Sequence, residues 1–163
     1  MQSILHLNSF KIYNLLLFLF FSIIVNSNSL PFMFYYFFYI TFHFLLIYIS
    51  IYHYSKFLFL IFFFYGLSLD IFLLNEIGPH LIVFISLLFF LNVSLKYFYN
   101  LTPKKIYILI LILQLLMIFF EFSSSSLLYN SFFEINFILK IFLLSIIFSL
   151  PIFLVFSKID NFK

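Results

Sequence analysis

Few side chains in this sequence can do chemistry, and one of them is set apart by its surroundings. Asp70 lies inside the apolar run Tyr65-Gly66-Leu67-Ser68-Leu69-Asp70-Ile71-Phe72-Leu73-Leu74. A carboxylate is costly in an apolar medium, so an acid there is either held by partners or serves a site. Gly66 lies one helical turn earlier on the same face, because residues i and i+4 align on a helix. Lacking a side chain, Gly66 lets a neighbouring backbone come close. Gly78-Pro79 follows shortly after: glycine accepts a positive φ, and proline suits the first turn of a helix. The spacing predicts a tight antiparallel hairpin, with His80 at a depth near that of Asp70 and able to hydrogen-bond to it. Gly66, Asp70, Gly78 and Pro79 therefore read as a packing and partner-binding motif, with His80 as a candidate polar partner of Asp70 and with Glu121 and Lys140 as a candidate polar pair of their own. Glu121 and Lys140 fall near the same ends of two adjacent apolar runs. As an exposed ion pair they would contribute only about 0–1 kcal/mol.

The other reactive residue types do not converge. His43 and His53 are ten residues apart and cannot ligate one ion from a single helix turn, and the chain has no cysteine. Metal sites need several converging ligands, so no metal and no other cofactor is expected. There is no glycine-rich phosphate loop and no nucleophile elbow. Asp70 has no second acid at its depth, which argues against an enzyme, and no catalytic residue is assigned. Gln114, Ser145 and Ser149 are expected to bond between helices or to their own carbonyls. The lysines at 96, 104 and 105 are too few for nucleic-acid binding and fit contact with anionic lipid.

Composition sets what carries these residues. Of 163 residues, 66% are hydrophobic and 8% charged. Soluble domains carry about 25% charged residues, so this chain cannot cover a water-facing surface. It reads as an all-α integral membrane protein, a single polytopic domain over residues 1–163 with about six transmembrane helices and short loops. A span needs about 20 mostly apolar residues. The runs are residues 10–25, 31–51, 57–74, 79–98, 106–120 and 135–156, with residues 121–134 forming the longest polar loop. Arginine, alanine and tryptophan are absent, while Phe, Ile, Leu, Asn, Tyr and Lys dominate. These are residues of A/T-rich codons, which points to an A/T-biased bacterial genome and discounts the aromatic excess as a signal of function.

Alternating loops sort the charges. Lys11, Lys56, Lys96, Lys104, Lys105, Lys158 and Lys163 fall on one side of a six-span layout. Lys140, Glu76 and Glu134 fall on the other, with Glu121 at its edge. The positive-inside rule then places both termini in the cytoplasm. Val25-Asn26-Ser27 also reads as a cleavage site after a signal-peptide core, but the preceding segment carries a single lysine; cleavage would leave five spans in the same orientation. Tyr13, Tyr52, Tyr54, Tyr97, Tyr99 and Tyr107 at one interface, and Tyr35, Tyr36 and Tyr129 at the other, read as headgroup belts rather than binding boxes.

The segment Gly66-Leu67-Ser68-Leu69-Asp70, followed by a short connection to Gly78, resembles the signature of the rod shape-determining protein MreD family. Gly66, Leu67, Asp70 and Gly78 carry the match, and Pro31 resembles the proline that often opens the family's second span. Length, span count and inside termini agree along most of the chain; residue identity is confined to about residues 31–80. Two features depart from the family. The connection Asn75-Glu76-Ile77 is poorer in Ser, Gly and Pro, and every basic residue other than histidine is lysine. The resemblance implies a non-enzymatic component of the cell-elongation machinery in the bacterial inner membrane. Such a component sits beside an MreC-like single-span protein and, through it, couples MreB-like filaments to a cell-wall polymerase and transpeptidase. It also implies a fold similar to the substrate-binding subunits of energy-coupling vitamin transporters. That gives the alternative: a small-molecule-binding transporter subunit with a pocket under the loops joining spans three and four or five and six.

Overall fold

A computed structural model describes residues 2–26, 31–74, 78–98, 101–129 and 135–161. The described residues form six helices and no strand: α1 (Gln2–Val25), α2 (Phe32–Tyr52), α3 (Leu58–Leu69), α4 (Pro79–Phe98), α5 (Pro103–Tyr129) and α6 (Ile135–Asn161). A π-helical turn, Asp70–Leu74, continues α3. Pro79 and Pro103 each begin a helix, where a missing N–H leaves nothing unsatisfied.

Three helical segments, Met33–Tyr52, Pro103–Leu128 and Ile135–Asp160, are long and apolar enough to cross a membrane. Shorter apolar segments cover Ile12–Val25, Leu58–Leu73 and Pro79–Ser94. Outward faces carry bare apolar side chains such as Leu15, Phe64, Phe89, Ile147 and Val155. In water such a surface would drive aggregation; against lipid tails it has no such cost. This is the make-up of a membrane protein.

The bundle is built around α2. Every residue from Ile40 to Ile51 is buried, and α2 packs against α1, α4, α5 and α6. A helix that is apolar all round belongs in a core. The α3 helix lies outside this group and packs chiefly on α4.

Several boundaries differ from the sequence reading, for identifiable reasons. The fifth helix does not stop at Phe120 but runs to Tyr129, taking Glu121 and the four serines of residues 123–126 into the helix. Their hydroxyls can bond within the helix: Ser124 Oγ donates to the carbonyl oxygens of Phe120 and Glu121 at 2.7 and 3.1 Å. For Ser124 that lowers the cost of a place inside the helix. The sixth helix continues beyond Phe156 to Asn161, with Pro151 inside it. The first begins at Gln2 rather than near Phe10. The connections at 27–30, 75–77, 99–100 and 130–134, and with them Glu76, Glu134, Tyr99 and most of the expected polar loops, lie outside the described residues, as does Lys163.

A polar lock closes the end of the bundle away from the α3–α4 connection. Asp160 Oδ1 accepts the Tyr13 hydroxyl at 2.7 Å, and Oδ2 accepts that of Tyr48 at 2.5 Å. His53 Nε2 lies 3.5 Å from the same carboxylate. Tyr13, read from the sequence as part of an interfacial belt, is fully buried, because this bond satisfies its polar tip and frees its ring to pack on Tyr48, His53 and Phe156. The lock joins α1, α2 and α6.

Candidate functional site

The α3–α4 hairpin is held by two contacts. At Gly66, a Cβ would lie 2.8 Å from Leu81 Cα and 3.2 Å from the Leu81 nitrogen. Real Cβ atoms do not approach backbone that closely, so α4 crosses α3 at a distance only glycine permits. The neighbouring helix that exploits this small residue is the chain's own.

One turn on, Asp70 is fully buried. Its Oδ2 accepts the backbone N–H groups of Gly78 at 2.9 Å and Leu81 at 3.0 Å. Its Oδ1 accepts the backbone N–H of His80 at 2.9 Å and His80 Nδ1 at 2.8 Å. The first N–H groups of a helix have no partner inside it, and the helix dipole favours negative charge there. Asp70 caps α4 from another helix. The π-helical turn begins at this residue.

From His80 the polar contacts continue inward. His80 Nε2 is 3.4 Å from the Tyr39 hydroxyl, and that hydroxyl donates to Glu121 Oε2 at 2.5 Å. Glu121 Oε1 meets His43 Nε2 at 2.8 Å, and His43 Nδ1 meets the carbonyl oxygen of Tyr39 at 2.8 Å. Five buried side chains from α2, α4, α5 and the end of α3 thus form one unbroken chain of contacts. Gln114 Nε2 fastens α5 to α2 a little further along, through the Ile40 carbonyl at 3.0 Å.

The partners fix much of the proton inventory. A carbonyl oxygen can only accept, so His43 Nδ1 carries hydrogen. The contact between His43 Nε2 and Glu121 Oε1 then needs one more proton, on either atom. The pair is neutral in both cases, which is how two ionisable groups tolerate full burial. Asp70 receives four donors and is a carboxylate. The Tyr39 hydroxyl spends its hydrogen on Glu121, so its oxygen accepts from His80. His80 therefore donates from both ring nitrogens, and its positive charge answers Asp70.

A cleft of about 250 Å3 adjoins the chain, lined by Tyr35, Tyr36, Tyr39, Leu73, His80, Glu121, Phe122, Ser125 and Phe137. No group of three or more metal-ligating side chains occurs among the described residues.

The residues singled out from the sequence divide clearly. Gly66, Asp70, Gly78, Pro79 and His80 meet in the hairpin, and Asp70 bonds to His80. Glu121 and Lys140 do not pair: Glu121 is buried against Tyr39 and His43, while Lys140 is exposed. Asp70 is not a lone buried acid either, since Glu121 is its indirect neighbour through His80 and Tyr39. Sequence reasoning missed His43 and Tyr39. Their four-residue spacing puts both on one face of α2, which is the available signal, but from the sequence alone Glu121 reads as a loop residue, which leaves them without a partner.

Compared with known proteins, the chain matches no family model, no curated protein and no solved structure.

Proposed function

We propose that this chain is a non-enzymatic scaffold of the bacterial cell-elongation complex, of the kind the MreD family provides. In this reading it crosses the inner membrane six times with both termini in the cytoplasm. It binds an MreC-like single-span protein and, through it, serves MreB-like filaments and the cell-wall polymerase and transpeptidase. One observation carries the reading. Gly66, Asp70 and Gly78, three of the four residues behind the resemblance, act as one device: glycine admits α4, and the acid caps it at the second glycine. Their spacing has a mechanical reason, and the outcome is a rigid hairpin whose outward face carries bare apolar side chains such as Phe63, Phe64, Phe89 and Phe90. A transmembrane partner needs such a face. Gly66 and Asp70 are buried within the chain itself, so they serve a partner by shaping that face rather than by touching it.

Depleting the chain in its host should turn rods into rounded cells, and a tagged copy should co-purify a single-span coiled-coil protein. Rods that persist after depletion, with no such protein captured, would reject the reading.

A second reading, a small-molecule-binding transporter subunit, draws support from the position of the cleft. The cleft lies between residues near the α3–α4 connection, such as Leu73 and His80, and residues Phe122, Ser125 and Phe137 at the facing ends of α5 and α6.

A further inference from the structure

The geometry points to the buried contacts from Asp70 to His43 as a proton-operated latch, which clamps the α3–α4 hairpin to α2 and α5 while it holds its protons and loosens when they leave. The inference rests on these polar contacts alone and stands whether the protein is a scaffold or a transporter subunit.

Each link of the latch runs through a single hydrogen. His80 Nε2 supplies the one shared with the Tyr39 oxygen, the Tyr39 hydroxyl supplies the one shared with Glu121 Oε2, and the His43–Glu121 pair shares the last. The first and the last are titratable. Taking the proton from His80 Nε2 sets two lone pairs against each other, unless Tyr39 turns its hydrogen to His80 and leaves Glu121 Oε2 without a donor. Taking the proton from the His43–Glu121 pair sets a bare nitrogen 2.8 Å from a carboxylate oxygen and buries an uncompensated negative charge, which is costly. Either way a contact opens, and these contacts are the cross-links of this end of the bundle. His80 to Tyr39 ties α4 to α2, and both oxygens of Glu121 tie α5 to α2.

Protons have a route to it. His80, Tyr39 and Glu121 line the cleft, whereas Asp70 and His43 are fully buried. The other ionisable groups facing the cleft are Tyr35 and Tyr36 of α2; α6 contributes Phe137, and no lysine lines it. Tyrosine ordinarily titrates near about 10, so the two histidine–acid pairs set the response near neutrality. When the latch opens, both histidines meet water and titrate near their ordinary value of about 6.5. Just below that value the open and latched forms hold equal numbers of protons, and the latch is at full strength. Above it the open form sheds two protons that the latched form keeps. Rising pH therefore favours opening, by up to about tenfold per proton and per pH unit. Below about pH 4 the carboxylates of the open form take up protons that latched Asp70 and Glu121 do not, and the latch weakens again.

The test uses the purified full chain in detergent micelles. Nitrogen NMR shifts of the histidine side chains report which ring nitrogens carry hydrogen. A histidine open to water is neutral at about pH 8. At that pH the His80 signal, assigned by its loss in His80→Gln, should show both nitrogens protonated; a neutral His80 would overturn the proposal. Reversible unfolding at about pH 7.5 and about pH 8.5 then counts the protons. The folding equilibrium constant of the parent should fall about a hundredfold between the two. Glu121→Gln keeps the links, because its amide oxygen accepts from Tyr39 and its NH2 donates to His43 Nε2. It holds no titratable proton there, so its constant should fall only about tenfold. The His53–Asp160 contact is common to both proteins and cancels in the comparison. Equal pH responses of the parent and a folded Glu121→Gln would overturn the proposal. If that variant does not fold, the His80 signal of the parent decides.

Discussion

Asp70→Ala is expected to unfold the hairpin end of the bundle at a much lower temperature than the parent chain. The substitution removes one carboxylate but strands four donors: three backbone N–H groups at the start of α4 and the His80 ring. Removing one member of a buried charged pair costs about 3–5 kcal/mol, because the remaining charge is left without compensation. His80 can shed its proton, which brings the cost toward the lower end, yet the backbone groups have no such escape. The damage should spread along the polar chain, since His80 also steadies Tyr39, and Tyr39 holds Glu121. Asp70→Asn offers one oxygen to the same donors and turns an NH2 group toward N–H groups, so it should fall between parent and alanine. Thermal unfolding of the three proteins in one detergent gives the order. Equal midpoints for all three would mean that Asp70 caps nothing.

Gly66→Leu is expected to separate α3 from α4. Clashes with side-chain ends relax cheaply, but here the obstructing atom is Leu81 Cα, and backbone moves only when the whole helix moves. Overpacking costs about 1–3 kcal/mol when small shifts absorb it, and a leucine at this crossing exceeds what small shifts can absorb. Gly66→Ala is the finer probe. Alanine gains about 1 kcal/mol of helix propensity over glycine, which offsets part of the clash, so the net loss should be modest. The expected ranking is parent, then alanine, then leucine. Comparable stability of parent and leucine variant would show that the two helices do not cross at contact distance.

The hairpin was the part most legible in the sequence. Its information is local: a glycine, an acid one turn later, and a glycine-proline pair that restarts the helix. The six helices were legible too, since apolar runs of this length leave little choice of element. What sequence could not give was pairing across distance. Tyr13 finds Asp160 across nearly the whole chain, and no periodicity in either segment announces it. Glu121 was misplaced for a different reason. A charge after an apolar run looks like a span's end, yet here His43 and Tyr39 hold the acid, so the helix continues through it and through four serines, of which Ser124 bonds to its own backbone. A buried acid whose partners lie on another helix cannot be told from a loop acid until that helix is in place.

Under the proposed scaffold reading, the Gly66–Asp70–Gly78 hairpin presents the face on which an MreC-like partner docks. The direct measurement is capture of that partner by tagged parent chain and by Asp70→Ala, in the membrane and at a temperature below the variant's own unfolding midpoint. The expected result is strong capture by the parent and roughly tenfold less by the folded variant, because loosening the α4 cap by a few kcal/mol lets the face change shape. Undiminished capture by a folded Asp70→Ala chain would contradict the claim.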